Sequence, residues 1–181
     1  MQLGIAAHSG GYNEHHVKAI SVIVDELSKC NPRPILVLGG YWGLMKVVVD
    51  EAVKRGLTAV LILPIEQEDV EVPSGVIAIR SGMEYRARSV ILVRSSDALI
   101  VLGGESGTMI EEIMAYAMGK PVYALVNTGY STDRLADAYP EYFDSRRIVK
   151  VKYFNSPEEL VRSLCSDLSK GLVKGKVAEY G

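Results

Sequence analysis

A chain of 181 residues, 48% hydrophobic and 23% charged, is long enough for one ordinary domain with a real core and too apolar to be disordered. Its formal charge of −2 gives no electrostatic case for binding nucleic acid. The apolar runs are strand-length and far short of a membrane span, and the chain starts on a strand without a basic leader, so we expect a soluble cytoplasmic protein with no membrane contact.

The first strand is expected at Gln2–Ala7, ending in the small-residue turn His8-Ser9-Gly10-Gly11 before a helix over Glu14–Ser28. A strand at Ile35–Leu38 runs into Gly39-Gly40-Tyr41-Trp42-Gly43 and a helix to Arg55, with Gly56 placed to terminate it. Strands at Ala59–Leu63 and Val76–Ile79 flank an acidic loop, Glu66–Ser74. A helix over Met83–Arg94 leads to a strand at Ala98–Leu102, which enters the turn Gly103–Thr108 and a helix over Gly107–Met118. Val122–Val126 is the next strand, Asn127–Arg147 a polar and aromatic stretch with a short helix near Asp133–Ala138, and Ile148–Val151 the last strand. Ser156-Pro157-Glu158-Glu159 starts the final helix, to Ser169, with an N-cap serine, an N1 proline and an acidic first turn. The tail Lys170–Gly181 is expected to fray or pack.

Most strand runs are continuously apolar, as in strands covered on both faces. Their alternation with helices implies one α/β domain over residues 1–181: a doubly wound, mostly parallel sheet of six to seven strands with helices on both faces. Ligands of such sheets sit at the carboxyl ends of the strands, where strand order reverses. Placing the first strand beside Ala98–Leu102 puts that point between them and makes the three glycine-rich turns converge. Cys30 and Cys165 lie far apart without metal-ligand spacing and are expected to be inert buried thiols in a reducing compartment.

A strand, a glycine-rich turn and a helix N-terminus form an anion cradle, where free backbone N–H groups meet the positive end of the helix dipole. Gly103, Gly104, Ser106, Gly107 and Thr108 are the best phosphate site, joined by His8, Ser9 and Gly10 of the first turn and by Gly39, Gly40 and Gly43 of the second. The turns are neither a Walker A loop nor a dinucleotide fingerprint. In the following helix, Met109, Ile110, Ile113, Met114 and Ala117 form one face; Glu112 points away from it to solvent, and Glu111 sits at its margin towards the site. Arg86 and Arg88 are unfavourable for the dipole near a helix start and need another reason to be there, either a Glu84–Arg88 pair or an anion. His8, His15 and His16 fit no zinc spacing, and no metal site is expected.

These residues resemble the LOG-like proteins of the SLOG superfamily, often labelled possible lysine decarboxylases, a label their chemistry does not support. The resemblance runs from the first strand to Pro121 and is carried by Gly39-Gly40-Tyr-Trp-Gly43-Leu-Met45, Arg88, Asp97-Ala98 and Gly103-Gly104-Glu-Ser-Gly107-Thr108-Met-Ile-Glu111-Glu112. It is strongest to the branch similar to the molybdenum-cofactor carrier. The resemblance implies a Rossmann-like domain that forms a homodimer or a dimer of dimers. It also implies a phosphoribohydrolase activity that cleaves a nucleoside 5′-monophosphate to free base and ribose 5-phosphate, with no cofactor required. By the family motif Pro-Gly-Gly-x-Gly-Thr-x-x-Glu, the glutamate falls on Glu111 and the upstream arginine on Arg88 as catalytic residues, with Met83 and Arg86 beside them as ligand contacts. Here the motif proline is Gly103, its second glycine is Glu105, and Ser89 replaces the lysine after the arginine.

Three functions follow. Retention of Arg88 and Glu111 favours the hydrolase. Glu105 beside a phosphate cradle favours a non-catalytic carrier or sensor of a nucleotide or molybdenum-pterin-type cofactor, or a partner-binding module with a vestigial site. Val47, Val48, Val49 and Val53 cannot all face one sheet at a 3.6-residue period, which with the resemblance leads us to expect homodimerisation through helices beside the site.

Overall fold

The computed structural model describes residues 1–176. Seven strands, β1 (Gln2–Ala6), β2 (Ile35–Leu38), β3 (Ala59–Leu63), β4 (Ile77–Arg80), β5 (Ala98–Val101), β6 (Val122–Leu125) and β7 (Val151–Phe154), form one sheet. Their order is β4-β3-β2-β1-β5-β6-β7, and every pair is parallel. β1 pairs with β5 in the register Leu3↔Ala98 to Ala6↔Val101, so strand order reverses between them.

The helices are α1 (Glu14–Lys29), α2 (Gly43–Lys54), α3 (Tyr85–Ser95), α4 (Ser106–Ala117), α5 (Asp133–Ala138) and α6 (Pro157–Lys170). Alternate residues of the strands feed two cores. Leu3, Ile5, Leu36, Leu38, Leu61 and Ile100 pack under α1, α2 and α6, while Val37, Ile62, Leu99 and Val101 pack under α3 and α4. Period-two alternation of side chains divides a continuously apolar run between two faces in this way. Ser156 caps α6 through the Glu159 N–H and Pro157 opens it, and Gly56 and Gly119 take positive φ just beyond α2 and α4.

Several expectations are corrected. The last strand lies at Val151–Phe154, three residues later than its apolar run, because Ile148 and Val149 are buried as part of the preceding loop. Every residue of β4 is exposed, since β4 is the outermost strand. On α2, Val48 and Val49 are buried and Val47 packs against the same core, so the run of valines leaves only Val53 exposed. Cys30 and Cys165 are not separate thiols: they form a disulfide between the end of α1 and α6, with Cα atoms 5.9 Å apart across 135 residues of sequence. Parallel packing of α1 against α6 brings them together, which spacing alone does not reveal. Of the tail, Lys174 reaches Asp97 and the Gly175 N–H donates to the Gly119 carbonyl; residues 177–181 lie outside the described residues.

Candidate functional site

The β1, β2 and β5 turns converge at the reversal point. The His8 N–H donates to the Gly103 carbonyl at 2.9 Å, and the His8 carbonyl accepts from the Leu44 N–H at 2.9 Å. Gly43 makes the second contact possible: it holds φ +54°, and a Cβ there would run into the backbone of His8 and Ser9. A cavity of about 450 Å³ opens between these turns and the first turns of α3 and α4.

Two of the helices that begin at this cleft start without a side-chain cap. Side chains cap α1 (Asn13), α3 (Glu84) and α6 (Ser156), whereas α2, α4 and the short α5, which does not line the cleft, have no side-chain cap among the described residues. The first turn of α4, Ser106-Gly107-Thr108, lines the cavity with N–H groups that have no acceptor within the helix. A Cβ at Gly107 would meet nothing within 4 Å, so the approach to these donors is open. Glu105, which stands beside them, turns its carboxylate onto the Ser131 hydroxyl. That contact holds the negative charge to one side of the cradle.

The cavity floor is a buried polar cluster from two helices. Arg88 of α3 donates from Nη1 to Oε1 of Glu111 of α4 at 3.1 Å, and the Ser89 hydroxyl donates to the same oxygen at 2.7 Å. Both partners of the pair are buried, and Nε of Arg88 has no partner among the described residues. Burial pushes the Glu111 carboxyl above the usual range, against the opposing pull of the Arg88 charge and the two hydrogen bonds. The Arg88 guanidinium lies directly over Gly39, where any Cβ would overlap it. A glycine from the β2 turn thus makes room for an arginine from α3 that holds a glutamate from α4.

The structure brings Arg88, Glu111, His8, Ser9, Arg86, Ser106, Gly107 and Thr108 to one cavity wall. Gly39, Gly40, Gly43, Gly103 and Gly104 lie behind it: Gly40 makes room for the Trp42 ring, Gly103 for Thr128 and Gly104 for the Thr108 hydroxyl. Gly10 packs its backbone beside the His8 ring. Met83 stays out of the cavity; its carbonyl accepts from the Ile65 N–H and its side chain is exposed. The Glu84–Arg88 pair is not made, because Glu84 caps α3 instead and Arg88 turns inward to Glu111. His16 is half-buried and completes a capping box with Asn13.

Residues that sequence reasoning did not select also line the cavity. Trp42 and Tyr85 meet edge to face at a centroid distance of 6.2 Å and form an aromatic wall. The only signal for Trp42 was its place inside the second glycine turn.

Glu112 is a correction. It is not exposed to solvent but fully buried, and neither carboxylate oxygen has a partner among the described residues. With nothing to compensate burial, its pKa is pushed up to about 8. The face expected to seat α4 is the one that points outward: Ile110 and Ile113 are 42% and 41% exposed, beside Val90 of α3 at 40%.

The sequence profile of the SLOG cluster4 family matches residues 4–161. A protein of Archaeoglobus fulgidus is 35% identical over 125 residues, spanning 69% of this chain and 80% of that protein. Among solved structures, TM1055 superposes with a TM-score of 0.75 at 31% identity, covering 90% of this chain and 97% of its own. The molybdenum cofactor binding protein of the phototrophic bacterium Rippkaea orientalis superposes with a TM-score of 0.74 at 25% identity, covering 92% and 96%.

Proposed function

The chain belongs to the SLOG cluster4 family, and from that premise we propose that it binds a phosphorylated nucleotide-like molecule in the cleft between α2, α3 and α4 and hydrolyses its N-glycosidic bond. The phosphate sits on the uncapped first turn of α4, where backbone N–H groups and the helix dipole favour an anion. The planar base lies against Trp42 and Tyr85.

The observation that carries a reaction, beyond binding, is the buried Arg88–Glu111 pair on the cavity floor. Breaking the C1′–N bond leaves positive charge on the ribose; the bond electrons leave with the base, and water supplies hydroxide to C1′ and a proton to the base. Glu111 stabilises that developing charge, as a carboxylate does in glycoside hydrolysis. Arg88 positions Glu111 and meets the anionic side of the substrate. Incubation with a panel of nucleoside 5′-monophosphates, with free base read by chromatography, tests the proposal. Release of base from at least one supports it, and release from none overturns it.

A second reading is favoured by two observations. Glu105 stands beside the cradle where the family motif has its second glycine, and the Rippkaea relative is described as a molybdenum cofactor binding protein. On this reading the same cleft carries a phosphorylated pterin-type cargo without turnover. Mass spectrometry of ligand retained through purification separates the two.

A second copy of the chain covers the outward apolar face of α3 and α4. Val90, Ile110 and Ile113 are exposed apolar residues of these two packed helices, and Ile110 also lines the cavity. Sedimentation should give a dimer that Ile113→Glu dissociates; a wild-type monomer at micromolar concentration overturns it.

A further inference from the structure

A smaller cavity, about 180 Å³, opens at the same edge of the sheet, between the first turns of α1 and α6. Its floor is apolar: Ala19 and Ile20 of α1, Leu102 beyond β5 and Leu125 of β6. Its rim holds two carboxamides, Asn127 and Asn155, joined by a hydrogen bond of 2.6 Å from Nδ2 of Asn127 to Oδ1 of Asn155. Among the described residues, no lysine, arginine, aspartate or glutamate lines it.

Each of these features restricts what the cavity accepts. Without a charged lining residue, it offers nothing to repay the desolvation of a phosphate, a carboxylate or an ammonium group. The wall formed by His16 is a flat ring with both nitrogens engaged. Nδ1 accepts from the Asn13 N–H at 3.2 Å, so Nε2 carries the proton and donates to the Thr128 carbonyl at 2.8 Å. The ring therefore presents only its face. The bond between the two asparagines leaves Oδ1 of Asn127 free to accept and the Nδ2 group of Asn155 free to donate. Both asparagines are exposed at the mouth of the cavity, where one free acceptor and one free donor are available to an amide edge, which carries one donor and one acceptor. Asn127 carries this carboxamide at φ +59°, a left-handed conformation that asparagine and glycine both adopt. An apolar cavity of roughly 150 Å³ accepts one benzene ring, so this one has room for a six-membered ring and little more.

We propose that this cavity is a second small-molecule site, selective for an uncharged, planar, single-ring compound that carries an amide edge, such as a nicotinamide or a pyrimidine base. It stands apart from the phosphate cleft. Between the two lies an aromatic stack in which Tyr130 sits 4.4 Å from His8, which lines the cleft, and 4.9 Å from His16, which lines this cavity. The proposal does not depend on any activity of the cleft.

Titration of the isotope-labelled protein with nicotinamide, pyridine and inorganic phosphate, followed by two-dimensional NMR, tests it. Nicotinamide should shift the side-chain amides of Asn127 and Asn155 and the backbone amide of Ala19. Pyridine, which fills the ring space but lacks the amide, should bind about tenfold more weakly or worse, and phosphate should leave these signals unmoved. Asn127→Gly keeps the left-handed backbone and removes the carboxamide, so it should bring nicotinamide down to the affinity of pyridine. Ala19→Leu should fill the floor and abolish both; if that variant fails to fold, Asn127→Gly alone decides. The proposal is overturned if millimolar nicotinamide moves none of these signals, if it moves only those of Trp42 and Tyr85, or if Asn127→Gly binds both probes as wild type does.

Discussion

Glu111 and Glu112 are neighbours on one helix, both buried, and live under opposite electrostatic regimes. Glu111 faces the cleft and meets Arg88 and the Ser89 hydroxyl. Glu112 faces the wall towards β7, where it meets no donor, and the buried Tyr153 hydroxyl is likewise without a partner. Burial raises both carboxyls, but only Glu111 has a cation to oppose that rise. A buried acid with a partner keeps access to both charge states and can serve chemistry. A buried acid without one is held in its neutral form near pH 7 and costs stability when forced to ionise.

The largest expected effect comes from breaking the partnered side. Arg88→Ala leaves Glu111 buried without its cation and should cost about 3–5 kcal/mol of folding stability, read by denaturant titration. Glu111→Gln keeps the shape and should instead reduce turnover about a hundredfold or more while inorganic phosphate still binds, because the carboxylate acts on charge that develops only in the transition state. An equal loss from Glu112→Gln would erase the contrast between the two acids.

The unpartnered side predicts a pH slope. The folded carboxyl of Glu112 titrates at about 8, far above an unfolded glutamate, so the folded state holds a proton that the unfolded state has released. Its contribution is complete below the unfolded pKa, about 4.3, and is lost as pH rises towards 8, by at most ~1.4 kcal/mol per pH unit. Glu112→Gln should flatten that stretch of the stability profile, and Glu112→Leu should raise stability at alkaline pH. An unchanged profile in both would show that Glu112 finds a partner in solution.

A smaller effect tests the support beneath Arg88. Gly39→Ala places a methyl group where the guanidinium lies. It should cost about 1–3 kcal/mol of stability, with a loss of affinity for nucleoside monophosphates and no change in the pH slope that Glu112 sets. The disulfide gives a milder and independent probe: adding reductant should lower the melting temperature without altering the Glu111–Glu112 contrast.

The parallel sheet and its reversal point were legible because continuously apolar runs of strand length, punctuated by glycine turns, leave few alternatives. The convergence of the three glycine turns was legible for the same reason, since glycines that follow parallel strands lie on one sheet edge. The orientation of α4 was not. Its apolar stripe of Ile110, Ile113 and Met114 is an ordinary signal for a core-facing side, yet its glutamates point inward and most of that stripe points out. Periodicity locates two faces of a helix, and it cannot say which one a second molecule or a buried arginine will claim. Trp42 and Tyr85 were not selected because an aromatic residue in a turn or at the first position of a helix carries no spacing that marks it as a cleft wall, and the Cys30–Cys165 bond because it joins residues that only helix packing brings together.

The fit of Gly39 beneath Arg88 imposes an order on how such a site can be lost among descendants. While the arginine is present, every replacement of the glycine meets the guanidinium and must displace it, so position 39 is penalised for change. Once a lineage trades the arginine for a smaller residue, the glycine is released and can drift. Sequences with a side chain at position 39 should therefore lack the arginine, whereas sequences that lack the arginine will be found with glycine still in place. A genealogy of the family read at these two positions would separate members that lost the cleft long ago from those that lost it recently.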